Sequence, residues 1–67
     1  MSLSVEVEIE EDGRWLAEVP AVPGALAYGS TRTEAIWKAQ ALALRALADQ
    51  LENGDSAQAG NVFAVVP

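Results

Sequence analysis

The residues in this chain that could do chemistry are its carboxylates. Its 67 residues include ten Asp and Glu against four Lys and Arg, with no histidine and no cysteine. Lacking histidine, the chain has neither the usual general base near neutral pH nor the usual nitrogen ligand for a metal. Lacking cysteine, it has no disulfides and no thiolate metal sites. What remains is metal-dependent hydrolysis, in which clustered carboxylates hold divalent ions. The candidates are Glu6, Glu8, Glu10 and Glu18, with Glu11 and Asp12 in a turn and Glu34 at a helix start. Glu8 and Glu18 fall on adjacent predicted strands, but a flat exposed strand face offers no pocket. The sequence therefore predicts no catalytic residue, no metal site, no cofactor and no enzyme.

The same carboxylates suit recognition. A net charge of -6 disfavours direct binding to nucleic-acid phosphates. It favours a protein partner with a basic surface, because complementary charge steers the encounter. Glu6, Glu8, Glu10 and Glu18 are thus candidate partner-binding residues. The competing use of the row is solubility and protection of a strand edge against pairing. Tyr28, Trp37 and Leu42 join the candidates, since large aromatic and apolar side chains anchor interfaces. No apolar run is long enough to span a bilayer, and Met1-Ser2 leads directly into an alternating strand with no leader pattern. A cytoplasmic protein without a membrane partner is expected.

Positioning these side chains falls to one long helix and the short strands around it. Thr31-Arg32-Thr33-Glu34 is a capping box: the Thr31 hydroxyl can accept from the Glu34 amide, and the Glu34 carboxylate can accept from the Thr31 amide. Asn53-Gly54 closes the helix, since either residue tolerates the left-handed conformation. Between the caps there is no Gly or Pro. At 3.6 residues per turn, Ile36, Ala39, Ala43, Leu44, Leu47 and Leu51 form an apolar stripe. Lys38, Arg45, Asp49 and Glu52 lie opposite, in a strip flanked by Trp37, Ala41 and Ala48 on one side and Ala35, Leu42 and Ala46 on the other. The surplus apolar surface predicts a contact involving Trp37 or Leu42, most simply with a second copy. A chain this short also has a marginal core, which association would supplement.

Leu3 to Glu10 alternates strictly, with Leu3, Val5, Val7 and Ile9 on one face and Ser4, Glu6, Glu8 and Glu10 on the other. Glu11-Asp12-Gly13 is a turn whose length decides the register. A two-residue loop would pair Ile9 with Leu16 and mix the faces. A three-residue loop with Gly13 left-handed pairs Glu10 with Arg14, Ile9 with Trp15, Val7 with Ala17 and Val5 with Val19, keeping both apolar rows together. The second strand, Arg14 to Val19, ends at Pro20; Pro23-Gly24 makes a turn; a short third strand covers Ala25 to Gly29. After the helix, Asp55 to Gly60 is a polar loop. Asn61 to Pro67 reads as a last strand whose near-continuous apolar run suits a covered position.

Taken in order, Glu11-Asp12-Gly13, Trp15-Leu16-Ala17-Glu18-Val19-Pro20, Val22-Pro23-Gly24, Gly29-Ser30-Thr31 and Thr33-Glu34-Ala35 resemble the HicB-like antitoxin family. The resemblance covers roughly Val5 to Gly54. It implies a single HicB-like domain over residues 1–67 with a reduced RNase H-like α+β fold: a three-stranded antiparallel meander, one long helix on one sheet face, and a fourth strand. A right-handed crossover would set the fourth strand beside the first, in sheet order 3-2-1-4. The resemblance further implies an antitoxin that binds and blocks a small basic HicA-type RNA-cleaving toxin, and that forms a homodimer or larger homo-oligomer. Family members often carry Cys after the Pro-Gly, where this chain has Ala25, and many carry a C-terminal DNA-binding segment for which this chain has no room. The alternative expectation is a stand-alone homo-oligomeric structural or regulatory module with no toxin.

Overall fold

The computed structural model describes residues 3–54, 63, 65 and 66. Three antiparallel strands, β1 (Glu6–Ile9), β2 (Trp15–Glu18) and β3 (Leu26–Gly29), form a sheet in the order β1-β2-β3, and one helix, α1 (Arg32–Glu52), packs on it. The fold is α+β.

The three-residue loop sets the register. Gly13 adopts φ +88°, the Gly13 amide donates to the Glu10 carbonyl at 3.0 Å, and the Glu10 amide donates to the Arg14 carbonyl at 2.8 Å. Ile9 then pairs with Trp15, Glu8 with Leu16, Val7 with Ala17 and Glu6 with Glu18. The ladder stops there, and the expected Val5–Val19 pair is not made. On β2 the even-numbered amides face β1 while the Val19 amide turns to the Ala25 carbonyl at 2.9 Å. The next donor toward β1 would be residue 20, a proline, which has no N–H to give. Pro20 thus ends the pairing of β1 at Glu6, short of the Leu3 start expected, and the turn bonds at Glu10 end it at Ile9.

Between β2 and β3 the chain makes two consecutive turns, in which the Val22 amide donates to Val19 and the Ala25 amide to Val22, each at 3.0 Å. They tuck Val22 into the core at 1% exposure. β3 pairs with β2 through Trp15–Gly29, Leu16–Tyr28, Ala17–Ala27 and Glu18–Leu26.

Thr31 caps α1 as expected, its hydroxyl accepting from the Glu34 amide at 3.0 Å. The return bond differs: Glu34 Oε1 accepts from the Ser30 amide at 3.2 Å instead of the Thr31 amide, and shares that oxygen with Lys38 Nζ at 3.1 Å. At the other end Gly54, not Asn53, takes the left-handed conformation, at φ +78°.

The helix lies across β2 and β3, but rotated from the predicted stripe. Ala35, Ala39, Ala43 and Leu47 are buried, and Ile36 and Ala46 pack against them, whereas Leu44 and Leu51 are exposed. The cause is close approach. A Cβ on Gly29 would lie 2.5 Å from the Ala35 nitrogen, so the first turn rests on bare strand backbone and small side chains must line that face. Ala17, Val19, Val22 and Ala25 complete the core. β1 lies at the margin of this cover, and Ile9, expected on the inner row, is left 60% exposed.

The Asp55–Gly60 loop lies outside the described residues. So do Asn61, Val62, Ala64 and Pro67 of the expected fourth strand. Its described members, Phe63, Val65 and Val66, are exposed and in no strand.

Candidate functional site

Strand alternation turns one side chain in two away from α1. The outer face of the sheet therefore carries Glu6 and Glu8 from β1, Leu16 and Glu18 from β2, and Leu26 and Tyr28 from β3. Glu6 stands directly opposite Glu18, a position at which Cβ atoms are about 5 Å apart and like charges repel. Among the described residues none of Glu6, Glu8 and Glu18 is in an ion pair. With Leu16 and Val7 they line a shallow open depression of about 140 Å³.

The other end of the face is built differently. Arg14 pairs with Glu10 through the backbone as expected, but its side chain holds Asp12, with Nε donating to Oδ2 at 2.7 Å and the Arg14 amide donating to Oδ1 at 3.1 Å. Its guanidinium lies 4.3 Å from the centre of the Tyr28 ring, within the range of cation–π attraction. The backbone bond from Arg14, then the side-chain bond, holds the Asp12 carboxyl below its usual range. Glu10 is half-buried and faces this end, lining a second open depression with Glu11, Asp12, Arg14 and Tyr28. The face thus runs from an unpaired acidic end around Leu16 to an aromatic end whose cation is already engaged.

Of the candidate residues, the structure brings together Glu6, Glu8 and Glu18, with Tyr28 on the same face and Glu10 at its rim. Trp37 and Leu42 lie elsewhere. Trp37, 69% exposed, is on the outer surface of α1, and Leu42 lies at the edge where the helix meets β3, near Ala27, Lys38, Ala41 and Arg45. Leu16 and Leu26 were not singled out, although the register alone puts Leu16 beside Glu8. An apolar residue at a wet position of a strand was the available signal.

Among the described residues no three acidic side chains are grouped so that they could hold a metal ion, and no helix is long and apolar enough to cross a membrane. The arrangement can attract and seat a cationic surface. No family model, curated protein or solved structure matches this chain.

Proposed function

We propose that this chain is a cytoplasmic protein-binding module of the HicB-like antitoxin type, which covers a small basic RNA-cleaving protein with the outer face of its sheet. One observation carries the proposal: Glu6, Glu8 and Glu18 converge around Leu16 without a cationic partner among the described residues. Opposed glutamates cost a free protein stability, and a basic partner would turn that cost into attraction. Leu16, Leu26 and Tyr28 would supply the apolar contact and the carboxylates the steering, the usual division in an interface. The ordered motifs from Glu11 to Ala35 support the family assignment. Under it, the fold is a reduced RNase H-like one, in which a fourth strand over residues 61–67 is expected beside β1, whereas Phe63, Val65 and Val66 lie in no strand in this structure.

The test is capture from the native cell extract with the wild-type chain and with the Glu6→Lys, Glu18→Lys double variant as baits. The expected result is a small basic protein recovered in near-equal amount by the wild type, lost from the variant, released by salt and inhibited as a ribonuclease by the wild type alone. Equal recovery by both baits, or no such protein, would sink the proposal.

A further inference from the structure

The helix carries a second apolar row that the sheet leaves uncovered. Trp37, Leu44 and Leu51 are 69%, 66% and 44% exposed. They recur every seven residues, which is two helical turns, so they stand in one line along the side of α1 facing away from the sheet. Ala41 and Ala48 alternate with them along that line, small enough for another helix to come close. Lys38, Arg45 and Glu52 each follow one residue behind, so one flank of the row reads positive, positive, negative from start to end. The opposite flank begins with Thr33 and Gln40, which carry no charge, and closes at Leu47, which is buried against the sheet.

We infer that this row is the interface of a two-fold homodimer in which two α1 helices pack antiparallel, Leu44 against Leu44 of the second copy. Charge complementarity selects the occupant and its direction. In an antiparallel pair the like flanks meet, so Lys38, which holds Glu34 Oε1 at 3.1 Å in the free chain, also faces Glu52 of the other copy, and the symmetry repeats that attraction. Only the two Arg45 side chains meet as like charges, at the centre. In a parallel pair the charged flank would meet Thr33 and Gln40, and no ionic contact would form. The row from 37 to 51 covers about 21 Å of helix, short for an interface. Each Trp37 therefore supplies a large share of it, lying over Leu51 of the partner copy. Because the row is on the side of the molecule opposite Glu6, Glu8 and Glu18, the dimer leaves both acidic faces free, and the inference stands whether or not they bind a basic protein.

The experiment is sedimentation of the full chain over a range of concentrations, with variants. The wild type is expected to dimerise, and Leu44→Glu to weaken association at least about tenfold, with the helical circular dichroism of the parent, since Leu44 lies off the core. Trp37→Gln does the same if Leu44→Glu fails to fold. Glu52→Lys weakens the dimer, and Arg45→Gln, which removes the like charges meeting at the centre, strengthens it. As the chain has no cysteine, Ala41→Cys and Ala48→Cys chains can be mixed: antiparallel packing cross-links 41 to 48, parallel packing links 41 to 41. A wild type monomeric at millimolar concentration overturns the inference and leaves the row to a different protein or to another part of the chain. A dimer indifferent to both Leu44→Glu and Trp37→Gln, a 41-to-41 cross-link, or an Arg45→Gln variant that associates no more tightly than the wild type overturns it equally.

Discussion

Gly29 and Glu34 show how much single residues decide here. A Cβ at position 29 would lie 2.5 Å from the nitrogen and 3.0 Å from the Cα of Ala35. Both are backbone atoms that cannot swing aside, so Gly29→Ala must lift the helix off β3. The expected cost is roughly 3 kcal/mol, at the upper end for overpacking, read as a lower urea midpoint with an unchanged slope. In sequence Gly29 is only a residue leading into a cap, because the contact that requires it lies across the core. Glu34 was more legible: the capping spacing placed its carboxylate, though not its choice of the Ser30 amide. The bond from Lys38, then that from Ser30, holds its pKa below the ordinary value of 4.5. The ionised form is the one favoured by folding, so the contribution is complete above that value and is lost as pH falls through the folded-state pKa. Glu34→Gln should be less stable than the parent at neutral pH and indistinguishable from it in acid. A gap between their unfolding midpoints that persists or widens in acid would contradict this assignment.

At the scale of elements, the first three strands, their register from Glu6 to Ile9 and the helix boundaries were legible because each rests on local signals: period-two alternation, a left-handed glycine, a capping box. The rotation of the helix was not, because it is fixed by what lies beneath. A hydrophobicity pattern prefers to bury Leu44 and Leu51, but the bare backbone at Gly29 admits only small side chains, and so Ala35, Ala39 and Ala43 win the sheet-facing positions. Val22 was missed for a related reason. Prolines on both sides marked its segment as chain path, yet the paired turns from Val19 to Ala25 carry it into the core at 1% exposure. In a core made mostly of alanines it is one of the two largest fully buried side chains. Val22→Ala should cost roughly 2 kcal/mol, whereas Ala21→Ser, at an exposed neighbouring position, should change little. Similar denaturation midpoints for the two would show that the turn is not part of the core.

For the whole molecule the governing quantity is charge. The net value of -6 is spread unevenly: the Arg14–Asp12 and Lys38–Glu34 pairs are internally compensated, while Glu6, Glu8 and Glu18 stand together on the outer sheet face. Composition disclosed the excess and alternation disclosed the face, but only the register disclosed that Glu6 and Glu18 are opposed. That opposition gives one substitution two effects of opposite sign. Glu18→Gln removes a like-charge pair, so it should stabilise the free protein by about 0.5 kcal/mol, and this gain should shrink in high salt, which screens exposed charges. Wherever a basic partner binds this face, the same substitution should slow association and flatten its dependence on salt. The stability half can be measured on the chain alone by denaturation at low and high ionic strength. If Glu18→Gln is neutral or destabilising at low salt, the acidic face holds no stored repulsion, and the solubility role of these carboxylates accounts for them without a partner. If it stabilises at low salt and not at high, the free protein carries a cost that a cationic surface is well placed to relieve.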